Sequence, residues 1–300
     1  MKIFDILTSP WAIVPESLFE IQEIYSTHLR GEKIDIKAVE AAIGKPLDNE
    51  QKPYEVHNNT AIIPVHGIIA KRMNLFSQIS GGVSTQKLGN DLMEAIRDSD
   101  INAIVLDVDS PGGTVDGTED AANLIRAARH KKPIVAWTDG MIASAAYWIA
   151  SAAEKVYISG KTPTVGSIGV VATHVDYSEY EKRQGIKTTE VYAGKYKRIA
   201  TEHKPLSKDG LKSIQDRVDY FYSLFVDAVA ENRGKTPEAV QKNMADGRMF
   251  IGQQAINAGL VDGVSTFDRL MNHVVPQMVE ATEKDNWLIN LNHNIGGHHA

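Results

Sequence analysis

From Thr60 the chain alternates short β-branched apolar runs with stretches of helical spacing: TAIIPVHG, DLMEAIRDS, NAIVLDVDSPGG, DAANLIRAARHKK and PIVAWTDG follow in turn. Apolar runs of strand length bounded by glycine and proline, with amphipathic spacing between them, predict βαβ units around a parallel sheet. The series continues through SAAYWIASAAEKVYIS, the apolar run TVGSIGVVATHVD, the helix-like YSEYEKRQG and the strand-like KTTEVYAG. A long helical pattern then covers residues 208–232, and GQQAINAGLVDG is the last helix-like unit. No tandem repeat is evident. The predicted class is α/β.

The two ends read differently. Residues 1–57 mix short apolar groups with a charged, proline-containing stretch, KPLDNEQKPYEVHNN, which predicts a helical extension and a linker. The main domain is expected over residues 58–268. Beyond it, residues 269–300 turn polar and rich in Asn, His and Gly, which predicts a loosely held tail.

Composition narrows the function classes. At 43% hydrophobic and 23% charged residues, neither disorder nor a fibrous fold is suggested. The absence of cysteine excludes disulfides, thiolate catalysis and cysteine-ligated metals. A net charge of -6 disfavours a nucleic-acid binder, with the short basic run at residues 195–198 as the local exception. Asp5 and two prolines interrupt the N-terminal apolar stretch, and no apolar run of spanning length follows, so a soluble, cytoplasmic protein without stable membrane insertion is expected.

Two motifs carry chemistry. Asp109-Ser110-Pro111-Gly112-Gly113 follows the strand AIVLDV, and its glycines allow a ligand to approach backbone amides closely. Such amides form an oxyanion hole, a term worth about 3 kcal/mol per donor; a plain strand-to-helix turn is the alternative. Asp139-Gly140-Met141-Ile142-Ala143-Ser144-Ala145-Ala146-Tyr147 again joins a strand to a helix, with small residues crowded round one hydroxyl. Ser144 fits a nucleophile and equally an N-cap. Both motifs fall at carboxyl ends of strands in one parallel sheet, where α/β folds bind ligands.

These residues resemble the signal peptide peptidase A family of serine-lysine peptidases, and within it the phage head-maturation proteases. The resemblance runs from about residue 61 to 262 through ISGGVST, LDVDSPGGTVDG, ASAAYWIASAA, VGSIGVV, residues 195–198, FVDAVAENRG and AINAGLVD, in the family's order. LTSPWAIVPESL with ISGGVSTQKL points to the phage branch. The resemblance implies a crotonase- or Clp-like superhelical core, a serine endopeptidase domain over 58–268, and Ser144 as nucleophile. It places the lysine base on Lys197, with Lys195 two positions away on the same face of a strand and therefore a competitor. Gly113, with Gly112, becomes the oxyanion donor, and Ser167 orients the lysine or caps a strand. The lysine must be neutral to act, which asks for a pKa lowered from about 10.4 to about 7.

The resemblance further implies protein or peptide substrates, capsid and scaffold proteins among them, no cofactor, a homo-oligomer, and action in the cytoplasm or inside a phage prohead. A signal-peptide-degrading enzyme with the same dyad and a non-catalytic assembly scaffold are the alternatives. A Ser-His-Asp arrangement through His174 and Asp176 ranks below the lysine, because both alternate on what reads as one strand. His66 reads as packed or surface histidine, and no histidine stands at metal-ligand spacing.

Overall fold

The computed structural model describes residues 10–29, 54–72 and 82–284. In chain order, β1 (Trp11–Ile13) leads into helix Pro15–Leu29, and β2 (Glu55–His57) turns into β3 (Thr60–His66). A repeated unit of two strands and a helix then follows. β3 is succeeded by β4 (Ile68–Ala70), β5 (Gly82–Ser84) and helix Thr85–Arg97. β6 (Ala103–Asp109) is succeeded by β7 (Gly112–Thr114) and helix Thr118–Ala128. β8 (Ile134–Thr138), β9 (Met141–Ala143) and helix Ala145–Ser151 make the next unit, and β10 (Lys155–Ile158) with β11 (Thr164–Gly166) the last. Helices Ser178–Arg183, Lys208–Arg233 and Pro237–Asn243, then β12 (Met249–Ile251), helix Gln253–Ala258 and β13 (Gly263–Val264), complete the core.

The first strand of each unit enters one sheet of order β13-β10-β8-β6-β3-β2, parallel except at the β2 edge. Its central strands β6 and β8 are apolar on both faces because both faces are covered. Ile104, Leu106, Val108, Ile134 and Ala136 point into the main core under the helices, whereas Ala103, Val105, Val135 and Trp137 meet Leu270, Met271 and Val275 on the other side. Trp148 stacks on Phe225 with ring centroids 4.6 Å apart, locking helix Lys208–Arg233 over helix Ala145–Ser151. Helix starts follow side-chain caps: Ser84, Ser207 and Thr236 accept from Lys87, Gly210 and Ala239 amides, and Pro237 stands in the first turn.

The α/β class with a parallel sheet holds, but each predicted βα step contains a second strand of three residues. These strands form two smaller sheets, of order β1-β7-β4-β5 and β12-β11-β9. Three residues are too few to show a hydrophobic period, so only their tertiary neighbours define them as strand. One expected strand is shortened and another is absent. In TVGSIGVVATHVD only β11 is strand, and residues 187–193, the strand-like KTTEVYA, are irregular and largely exposed. With no sheet edge beside them, their backbone groups face water.

At the ends, β1 pairs with β7 and so joins the main fold directly. The helical stretch that begins at Phe267 passes through a π-helical turn, Leu270–Val274, and runs on through residues 275–284. The domain boundary expected at residue 268 therefore falls inside a helix whose Leu270, Met271 and Val275 are buried. The rest of the expected tail lies outside the described residues, as does most of the expected linker.

Candidate active site

Ser144 sits where β9 ends and helix Ala145–Ser151 begins, with φ 54° and ψ -117°. A non-glycine residue in that region costs about 1 to 3 kcal/mol and persists only where its surroundings impose it. The surroundings are visible. Its N–H donates to Gly166 O at 2.8 Å, its carbonyl accepts from Trp148 N at 3.0 Å, and Oγ donates to Gly169 O at 3.4 Å. It does not cap the helix through its side chain, so the N-cap alternative fails, and its hydroxyl is turned towards the Gly169 segment.

The glycine motif lies directly against it. A Cβ added to Gly112 would come within 3.0 Å of both Ser144 Cβ and Ala143 O, and within 2.3 Å of Ala12 O. Gly113 is held as closely on its other side, where a Cβ would meet Ile69 O at 1.9 Å. Ser110 joins the two motifs: its N–H donates to Met141 O at 2.9 Å and its carbonyl accepts from Ala143 N at 3.1 Å. Its Oγ donates to Gly67 O at 2.6 Å and accepts from Gly112 N at 3.2 Å. The Gly112 amide is thereby engaged, and Gly113 lies in β7 opposite Ala12 of β1. Nothing in the sequence pattern singled out the Ser110 side chain.

Ser167 stands beside Ser144 across the β9–β11 pair, since Ala143 is registered with Gly166. It has φ 51°, is buried, and its N–H donates to Arg248 O at 2.8 Å. Adjacent strand ends thus present two serines with positive φ.

The lysines are placed differently from the expectation of a shared strand face. Residues 194–200 form turns, opened by Gly194 at φ 96° and closed by Lys197 N–H donating to Gly194 O at 3.0 Å. Lys195 and Lys197 are both exposed, and Lys195 Nζ lies 4.9 Å from the ring centre of Tyr196. Among the described residues no hydrogen bond joins Lys197 to Ser144. Arg198 anchors the turn instead, pairing with Glu190 and with Glu202 at 3.2 Å; its side-chain hydrogen bond to Glu190 holds its guanidinium above the ordinary arginine range.

The histidines are occupied elsewhere. His174 Nε2 is 3.0 Å from Thr201 O, and Asp176 Oδ1 accepts from Ser178 N at 2.9 Å, so the two do not form a relay with Ser144. His66 pairs with Asp107 at 2.9 Å, a hydrogen bond that raises its pKa.

The arrangement is a strained, buried serine at a strand-to-helix corner, walled by a glycine strand. Comparison with known proteins gives the family. The chain matches peptidase family S49 over residues 126–278, and it belongs to that family. It is 33% identical over 215 residues to "Putative protease MJ0651" of Methanocaldococcus jannaschii, covering 69% of this chain and 68% of that one. It is 32% identical to "Capsid assembly protease C" of Escherichia phage lambda, over 71% of this chain and 48% of the relative. It is also 32% identical to "Head-tail preconnector protein GP5" of Enterobacteria phage P21, over 70% of this chain and 41% of the relative. The chain thus spans less than half the length of either phage protein. A solved structure of a ClpP1 point mutant from Listeria monocytogenes matches with a TM-score of 0.44 at 15% identity, covering 70% of this chain and 94% of that one. Among the described residues no helix is long and apolar enough to cross a membrane.

Proposed function

We propose that this chain is a serine endopeptidase in which Ser144 is the nucleophile and Lys197 its general base. The observation that carries the reading is Ser144 itself: a strained, non-capping serine whose side chain is set against Gly112 at the end of β9. In the proposed reaction Ser144 Oγ attacks the scissile carbonyl while its proton passes to neutral Lys197 Nζ. The oxyanion is held by Gly113 N–H and by the opening amides of helix Ala145–Ser151, which have no partner within the helix. Lys197 then protonates the leaving amine; neutral again, its Nζ takes a proton from water as the water attacks the acyl-enzyme, and returns that proton to Ser144 Oγ as the ester breaks.

Ser167 is proposed to orient the lysine, because its place beside Ser144 puts a second hydroxyl at the same strand ends. Lys197 reaches the site when the exposed region around it is fastened against a second copy of the chain. That region carries Ile186, Val191, Tyr192 and Tyr196 as exposed apolar side chains, with Val191 95% exposed. Surface of that kind supports a homo-oligomer.

The two phage relatives, by name a capsid assembly protease and a head-tail preconnector protein, support capsid or scaffold proteins as substrates, met in the cytoplasm or within a prohead. Co-expression with candidate head proteins tests this. The expected result is truncation of one of them by the native chain and none by Ser144→Ala or Lys197→Ala; truncation that survives either substitution overturns the dyad.

A further inference from the structure

β1 lies where a substrate would have to lie. Trp11–Ile13 runs antiparallel to the glycine strand, with Trp11 opposite Thr114, Ala12 opposite Gly113 and Ile13 opposite Gly112. On its other side it meets the segment that follows Ser167: Trp11 N–H donates to Val171 O at 2.8 Å and Val171 N–H to Trp11 O at 2.9 Å. Val14 N–H completes the seat by donating to Pro111 O at 2.9 Å. An extended tripeptide is therefore clamped by backbone bonds between the glycine strand and the Gly169–Val171 side, with Ala12 O and Ser144 Cβ both within 3.0 Å of one point beside Gly112. Under it Ser144 has no exposed surface.

The side chains sort by face. Trp11 and Ile13 are buried with Leu18, Ile21, Ile68 and Val171, whereas Ala12 belongs to the main core that holds Ala145 and Ala146. A small residue thus points into the main core, and bulky apolar residues flank it on the opposite face.

We propose that β1 occupies this protein's own peptide cleft as a built-in competitor, and that a substrate replaces it by pairing antiparallel with β7. This rests on Ser144 being the nucleophile. Strand addition gives affinity through backbone bonds and specificity through alternate side chains. The cleft accordingly takes an extended peptide with a small residue opposite Gly113 and large apolar residues on either side of it. Proline at positions 10 and 15 flanks β1 and limits the pairing to the residues between them.

A reversible lock tests the proposal. Trp11 and Val171 exchange both backbone hydrogen bonds, a pairing that brings Cα atoms to about 5.5 Å, within the span of a disulfide. The chain has no cysteine of its own, so Trp11→Cys with Val171→Cys introduces the only thiols. The probe is a fluorescein-labelled heptapeptide of residues 10–16, PWAIVPE, bound to the double variant carrying Ser144→Ala. Reduced protein, its β1 loosened by loss of the indole, is expected to bind at least tenfold more tightly than oxidised protein; with Ser144 restored, peptide cleavage should return on reduction. Equal binding in the two states makes β1 a permanent strand and overturns the proposal. Redox-dependent binding without cleavage in either state supports the cleft and instead sinks the nucleophile assignment. Hydrogen exchange on Ser144→Ala protein with native Trp11 covers a double variant that fails to fold: saturating peptide should strip protection from the Trp11 and Val14 amides, and unchanged protection also overturns the proposal.

Discussion

Gly112 is packed so closely against Ser144 that a methyl group on Gly112 would come within 3.0 Å of Ser144 Cβ. Gly112 also has φ 101°, which a residue with a side chain rarely adopts. Gly112→Ala is therefore expected to push the glycine strand off the nucleophile and reduce kcat/KM at least a hundredfold. Turnover of a peptide substrate measures this, with circular dichroism checking that the fold persists.

Ser110 is expected to act through the glycine strand. Its Oγ is the shared partner of Gly67 O and Gly112 N–H, and it is fully buried. Ser110→Ala leaves both without that partner, at about 1 to 3 kcal/mol. Thermal denaturation should show a loss of that size. If Ser110 also aligns the site, kcat falls while KM holds; a variant that loses stability with native kcat would make the serine purely structural.

Lys197 and Lys195 are separable by substitution. Lys197→Ala is expected to abolish cleavage, and Lys195→Ala to leave it within a fewfold of native, because Lys195 lies against Tyr196. His174→Ala should do little, since its ring bonds to Thr201 O. Initial rates on one peptide decide among the three, and the reverse order for the lysines would move the base to Lys195.

The glycine motif was legible in the sequence because it follows a long apolar strand, β6, and the candidate serine because it stands in a small-residue cluster, patterns visible without tertiary context. The pairing of β1 was not, because Trp11, Ala12 and Ile13 carry no period and the partner strand lies about a hundred positions on. The lysine segment read as a strand because KTTEVYAG is β-branched and aromatic. Propensity alone does not build a strand where no sheet edge receives it. Ser110 was legible only as a turn residue, since its side-chain bonds depend on the turn between β3 and β4 meeting the start of β7.

Arg233 and Asp262 tie the long helix to the sheet, 2.8 Å apart, and Asp262 also accepts from Val156 N at 2.8 Å. Burial would raise the Asp262 carboxyl, but the Arg233 hydrogen bond and charge outweigh it and hold the pKa below the ordinary aspartate range. Its contribution is present above the unfolded-state value and is lost as pH falls through the depressed folded value. Asp262→Asn should cost about 3 kcal/mol at neutral pH and flatten the acid limb of stability in urea titrations. An unchanged acid limb would place that sensitivity in other carboxylates.

The central claim is that Ser144 is an activated nucleophile, and covalent capture tests it most directly. Prolonged incubation with a small fluorophosphonate, followed by peptide mass mapping, is predicted to give one adduct, on Ser144, absent from Ser144→Ala and strongly slowed in Lys197→Ala. A folded chain that takes the label on another residue, or equally with and without the Ser144 hydroxyl, would contradict the account.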